Sequence, residues 1–359
     1  MKITDYRLHR LQLPLREPIG DSQVRFTDHW MTILELHTDL ECSGIGFQIQ
    51  QGRPTASLDN LRQQFEYGVW PSLKGGLPIG LAQRITRPRG GNVGAGYLTT
   101  SVETALWDLT GKQLQQPLYK VLGGQNPRVP AYASTLDFHL DDQEFRSKLE
   151  RFRDQGFTTA VKAKVGHADL SWDLRRLAII REVMGDGVRI MVDANEAWTV
   201  KSTIIRMNVY RDTGYDIFWV EDPITRDDYE GYARLCAELP LTHVNTGEYL
   251  DYSGKRRLLE HHAVDVLNVH DSISVSRGIA RLAGDYGVSV SLGNTVLELG
   301  VHLAASLPEC IYLEFSDLKW NDIAIEAVQF REGFAIVPDR PGHGIELDPD
   351  KVAFYSKDE

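Results

Sequence analysis

The chain has 359 residues, with 39 Lys and Arg against 50 Asp and Glu, a formal charge of −11, 42% hydrophobic and 25% charged residues. That composition excludes wholesale disorder, and no apolar run reaches the ~18 residues that a membrane-spanning helix needs. The acidic balance excludes a nucleic-acid partner, which requires basic residues to replace phosphate counterions. It leaves room for an anionic small substrate, because a pocket's local field is set by a few residues and any metal.

The first segment, MKITDYRLHRLQLPL, carries charges throughout and alternates, so it reads as a strand and not a signal peptide. With WMTILELHTD and the glycine-rich CSGIGF it predicts an antiparallel meander over residues 1–50. Residues 55–123 read as helical, interrupted at Arg87–Gly96 (RPRGGNVGAG). That interruption lacks the Gly-Lys-Ser/Thr of a phosphate loop and is expected to be a connection. The stretch from Thr100 to Leu122 places Val102, Ala105, Leu106 and Leu109 on one helical stripe and stops at Gly123-Gly124. Cys42, Cys236 and Cys310 are odd in number and far apart. A reducing cytoplasm, with no disulfide framework and no cysteine metal site, is the expectation.

From about Val129 the rhythm changes. Eight short apolar runs, each ending on a polar residue, alternate with amphipathic helical patterns: 129–135, 158–166, 188–195, 216–223, 241–248, 264–271, 288–295 and 310–315. From Lys164 through Asp193, Glu221, Glu248, His270 and Asn294 to Glu314, the strand-end residues follow at intervals of 29, 28, 27, 22, 24 and 20. That period is one βα unit, and eight in series close into a (β/α) barrel. An open doubly wound sheet would want a glycine-rich loop after its first strand and fewer units. The tail from Ile323 returns to strand character. The predicted organisation is an α+β capping domain at 1–125, a barrel at 126–322, and a segment at 323–359 that packs back on the cap.

In a parallel barrel the active site lies at the C-terminal strand ends. Asp193, Glu221 and Glu248 end consecutive strands, and three converging acids repel unless a cation neutralises them. All-oxygen ligation without His or Cys points to Mg²⁺ first and Mn²⁺ second. Lys162 and Lys164 lie two apart on the preceding strand, so both ammonium groups share a face toward the barrel mouth. Beside a cation and a second lysine, such a group is expected to lose its proton near neutrality and act as a base. A lysine base beside carboxylate-held Mg²⁺ suits removal of the proton α to a substrate carboxylate, through an enediolate.

The helix SVETALWDLTGKQLQQPLYKVLGG, the K-x-K of Lys162 and Lys164, VDAN at 192–195, EDP at 221–223 and GE at 247–248 together resemble the enolase superfamily, mandelate racemase/muconate lactonizing enzyme subgroup, over essentially the whole chain. The resemblance implies Lys164 as acid/base, Lys162 as its electrostatic support, and Asp193, Glu221 and Glu248 as Mg²⁺ ligands. It implies Asn195 beside ligand and substrate, and Glu314 as a hydrogen-bonding acid at the eighth strand. It also implies a substrate-selecting mobile loop at Pro18–Arg25, which makes Asp21 and Arg25 expected substrate contacts, together with Asn294 on strand seven. Arg25 and Arg53 also lie where either could pair a distal carboxylate. The family is usually oligomeric.

Two departures shape the reaction. Strand seven ends in Gly293-Asn294-Thr295 without the racemases' histidine, and strand six ends in His270-Asp271 where lactonizing and epimerase members have a lysine. His270 can hold a proton near neutrality and is the candidate general acid. The leading expectation is therefore a cytoplasmic Mg²⁺-dependent lyase that dehydrates an acid sugar, an aldonate or aldarate, to a 2-keto-3-deoxy acid. A racemase, epimerase or cycloisomerase on the same scaffold is the alternative. A non-catalytic metal-binding barrel is a remote one.

Overall fold

The computed structural model describes residues 1–82, 98–293, 297–318 and 320–357, so the Arg87–Gly96 connection and Asn294 lie outside the described residues. The alternating N-terminal segment forms three antiparallel strands, β1 (Ile3–Gly20), β2 (Arg25–Thr38) and β3 (Ser43–Gln51), in the order β1-β2-β3. Leu8, Leu34 and Gly46 share one register row, as do Arg10, Thr32 and Gln48.

Helices α1 (Leu58–Gly68), α2 (Trp70–Leu73) and α3 (Pro78–Ala82) follow, and α1 is capped by Ser57, whose side chain accepts from Asn60 N. The next helix is α4 (Thr99–Leu114), buried at every position from Ser101 to Gly111. The sequence predicts a one-sided stripe there, but α4 meets both the cap sheet and the barrel helices and so is covered all round. Its approach to β3 requires glycine: a Cβ at Gly46 would stand 1.8 Å from Ser101 O. The predicted run to Leu122 is broken, because Gln115 turns left-handed at φ 52 and Pro117 begins a separate helix, α5 (Leu118–Val121).

The eight predicted barrel strands are all present: β4 (Arg128–Ser134), β5 (Ala160–Lys164), β6 (Arg189–Asp193), β7 (Ile217–Glu221), β8 (His243–Thr246), β9 (Val266–Val269), β10 (Ser289–Leu292) and β11 (Cys310–Ser316). Neighbours pair in parallel, and β11 pairs with β4 through Leu313 opposite Ala131, which closes the barrel. Helices α6 (Asp142–Asp154), α7 (Leu170–Met184), α8 (Val200–Asp212), α9 (Tyr229–Glu238), α10 (Tyr252–Glu260), α11 (Ile273–Asp285) and α12 (Leu297–Ser306) connect the strands. Asp141 with Glu144 and Thr199 with Ser202 form reciprocal caps that start α6 and α8.

Inside the barrel, Tyr132, Ala160, Met191, Trp219, Val266 and Tyr312 form a plug of their own, with the Tyr132 and Trp219 rings edge-on at 5.3 Å. The polar strand ends stand above this floor. The C-terminal segment divides. The hairpin of β12 (Gln329–Arg331) and β13 (Phe334–Ile336) pairs with β4, whereas α13 (Pro349–Tyr355) packs against β1 and Ser356 bridges to Leu11.

Candidate active site

The barrel register sets the site. Lys164 lies opposite Asp193, Asp193 opposite Glu221, and Glu221 opposite Asn245, so four neighbouring strands present a polar row at one level. Lys164 and Asp193 of this row line a cavity of about 440 Å³ with Lys162, Asn195, Glu248 and Glu314. The cap supplies Asp21, Phe26 and Gln51 to the wall, and Leu136 and Tyr249 complete the barrel side.

Lys162 Nζ stands 2.5 Å from Glu221 Oε1, 3.2 Å from Glu314 Oε1 and 3.5 Å from Asp193 Oδ2, and 5.4 Å above the centre of the Tyr132 ring. Lys164 Nζ donates to Asp193 Oδ2 and to Asn195 Oδ1, both at 2.6 Å. Asn195 is itself fixed, since its N–H donates to Asp193 Oδ1 at 3.0 Å. The Lys164 backbone N–H donates to buried Asp137 at 2.9 Å, a support that no spacing in the sequence announces. Asn195, Glu196 and Asp222 all take positive φ (43°, 64° and 39°), so the backbone strain among these strand ends collects at the candidate site.

Burial pulls the Lys162 ammonium's pKa down, but Glu221 and Glu314 outweigh it and hold the group well above its usual value. Lys164 behaves alike: burial and Lys162 lower it, Asp193 raises it, and the result lies above the ordinary lysine value. Both ammonium groups are raised because the carboxylates face them directly. Burial raises Glu248, with Asp193 adding to it and His270 opposing, and raises Asp222 to about 7.

Charge is the test of fit for a cation. Asp193, Glu221, Glu248 and Glu314 set four carboxylates against two lysines, and Oε2 of Glu221 and Oδ2 of Asp222 are buried without a hydrogen-bond partner. Among the described residues no three carboxylate, imidazole or thiolate side chains are gathered into one finished ligand set, since the lysines stand between the acids. The donor set nonetheless fits a hard divalent cation, whose two charges would match the surplus.

The other predicted residues fall in different places. Asp21 forms the tip of the β1–β2 hairpin: its N–H donates to Val24 O at 3.1 Å and its Oδ1 accepts from Gln23 N at 2.6 Å. The predicted loop over Pro18–Arg25 is thus a short turn, with Pro18 to Gly20 inside β1 and Arg25 beginning β2. Gln23 Nε2 ties this tip to the barrel through Asn195 O at 2.6 Å. Arg25 is exposed and does not line the cavity. His270 follows β9, half-buried and within electrostatic reach of Glu248, set back from the lining. In the closed order β5 and β9 are four strands apart of eight, so Lys164 and His270 belong to opposite sides of the barrel.

Sequence reasoning missed Phe26, Gln51, Leu136 and Tyr249. It also missed a clamp at the mouth, where Arg226 holds Glu196 through Nε at 2.7 Å and Nη2 at 2.8 Å, with the guanidinium 4.5 Å from the Tyr249 ring centre.

Residues 144–351 match the family described as enolase C-terminal domain-like. A curated relative, the 3,6-anhydro-alpha-L-galactonate cycloisomerase of Streptomyces coelicolor, is 34% identical over 74% of this chain and 73% of its own. A solved Mesorhizobium loti structure, provisionally assigned as a mandelate racemase, is 40% identical with a TM-score of 0.94, covering 100% of this chain and 95% of that one. L-talarate dehydratase from Polaromonas sp., solved with Mg and L-glucarate, is 28% identical with a TM-score of 0.84, covering 99% and 97%. With the closed barrel, the antiparallel cap and the matched residues in place, the chain belongs to the enolase superfamily, in the mandelate racemase/muconate lactonizing enzyme subgroup.

Proposed function

We propose that the protein removes the proton α to the carboxylate of an acid sugar with Lys164 and expels the β-hydroxyl, giving a 2-keto-3-deoxy acid. The observation that carries this reading is the placement of Lys164 Nζ at the cavity wall, held between Asp193 and Asn195. Asp193, Glu221 and Glu248 would hold Mg²⁺, which supplies positive charge against the substrate carboxylate and takes up the acid charge that now holds the lysines protonated. Lys162 keeps a fixed ammonium beside the reacting carboxylate, anchored by Glu221 and Glu314. Asn195 orients the Lys164 amine, and the lost proton passes to that nitrogen. His270, on the opposite side of the barrel, gives a proton to the departing hydroxyl. The Asp21 turn and Gln51 contact the distal hydroxyls, and Phe26 and Leu136 keep water from that end.

The reading fits the company of dehydratases and cycloisomerases in which the sequence falls. The same opposition of Lys164 and His270 favours a second reading, in which His270 returns a proton to the other face and the product is the epimer. The test is a Mg²⁺-dependent screen against aldonates and aldarates, read with semicarbazide. Accumulation of a 2-keto acid supports dehydration. Inverted substrate without keto acid supports epimerisation and removes the first reading.

A further inference from the structure

On the cap sheet, on the same face that α4 meets at Gly44 and Gly46 and beside Leu61 of α1, lies a polar recess of about 370 Å³ that the proposed chemistry does not use. Its floor is the register row of Arg10, Thr32 and Gln48, flanked by the Trp30–Gln50 pair, so residues from all three strands converge on one face. Arg10 is only 5% exposed, and among the described residues no carboxylate pairs with it. Burial alone lowers its pKa, and the same-face acid Asp28 accepts from Gln12 Nε2 at 2.5 Å. Its Nη1 donates to Ala56 O, while its Nε and the indole Nε1 of Trp30, itself 7% exposed, are buried with no hydrogen-bond partner.

A guanidinium taken out of water without an acid is costly, and so is each orphaned donor. The remaining lining adds the Thr32 hydroxyl and the amides of Gln48 and Gln50, groups that can donate to an anion. We propose that this recess binds a small monovalent anion, a halide or a small carboxylate, between Arg10 Nε and Trp30 Nε1. The anion supplies the negative charge the sheet lacks and ties the Pro54–Ala56 segment to β1–β3. The site is independent of the catalytic reading, although Gln50 faces it while the next residue, Gln51, lines the cavity.

The test uses the whole chain without substrate. A bromide-soaked crystal should show an anomalous peak between Arg10 and Trp30. At constant ionic strength, chloride, bromide or formate should raise Tm by about 2 °C over the sodium salt of a bulky sulfonate, and Arg10→Met should abolish the rise. A rise with formate alone assigns a carboxylate, and a rise with halides alone assigns a halide. If Arg10→Met does not fold, the wild-type map and Tm series decide, with Thr32→Val expected to halve the rise. Bromide bound with no anion-dependent Tm means an adventitious ion only. That result, no bromide peak together with no rise in formate, or the same rise in Arg10→Met overturns the proposal.

Discussion

Two buried polar networks in this molecule use the same kinds of side chain to opposite ends. At the junction of cap, barrel and C-terminal segment, Asp108 is fully buried and saturated: its oxygens accept from Lys112 Nζ at 2.7 Å, Ile45 N at 3.0 Å and His343 N at 3.0 Å. His302 Nδ1 accepts from Tyr119 N at 3.2 Å, so its Nε2–H donates to His343 O at 2.9 Å. His343 likewise accepts from Ile345 N and points Nε2 at Ile45 O, 2.8 Å away. Gly342 is required there, since a Cβ would lie 2.0 Å from Asp108 Oδ1. At the barrel mouth, by contrast, four acids face two lysines and the outer oxygen of Glu221 has no partner. A closed network of matched charge holds three segments together. An open one with surplus charge is prepared for something not of the chain.

The largest break in this comparison is expected from Glu221→Gln. Lys162 keeps Glu314 and Asp193 as partners in this variant, so neutralising one surplus acid should leave the Tm of the metal-free protein unchanged or higher. Turnover should meanwhile fall by about 10²–10³-fold. Calorimetry and steady-state kinetics check both halves, and a large loss of stability would make the mouth a structural network after all. Asp108→Asn should do the reverse. It strips Lys112 of its acid and should cost about 3 kcal/mol in denaturant unfolding, with kcat of the folded fraction within about twofold.

Acid should distinguish the networks next. Burial first, then His343, pull the His302 pKa down to about 3, so the unfolded chain takes up this proton near pH 6.5 before the folded one does. The junction's stability is therefore intact above about pH 6.5 and drains as pH falls toward about 3, by at most about 1.4 kcal/mol per unit. A His302→Gln variant should show a flatter stability profile between about pH 6 and 4 in urea titrations. The smallest effect is expected from Arg226→Gln, which opens the clamp on Glu196. The pair is partly exposed, so stability should change by no more than about 1 kcal/mol. KM should rise severalfold with kcat nearly constant.

The barrel was legible in the sequence because its period is local and repeats eight times, and the strand-end rule then led directly to Lys162, Lys164, Asp193, Glu221 and Glu248. The cap's share of the wall was not. Phe26 and Gln51 reach the cavity through hairpin geometry, and nothing in their own segments marks them. The His343–Asp108 contact joins residues 235 apart through the His343 backbone N–H, which carries no compositional signal. The helix through Leu122 failed for a local reason, the left-handed turn at Gln115 before Pro117. Asp137 escaped notice because its task is to hold the backbone N–H of Lys164, which any acid in a loop could do.

The central claim is that Lys164 in the open network moves the α-proton. The direct measurement follows that proton by NMR in D₂O with Mg²⁺ and the acid sugar turned over by the wild type, comparing it with Lys164→Ala. The expected result is α-proton loss in the wild type and a rate lower by about 10³-fold or more in the variant, with the fold and metal affinity retained. Undiminished exchange in Lys164→Ala would contradict it.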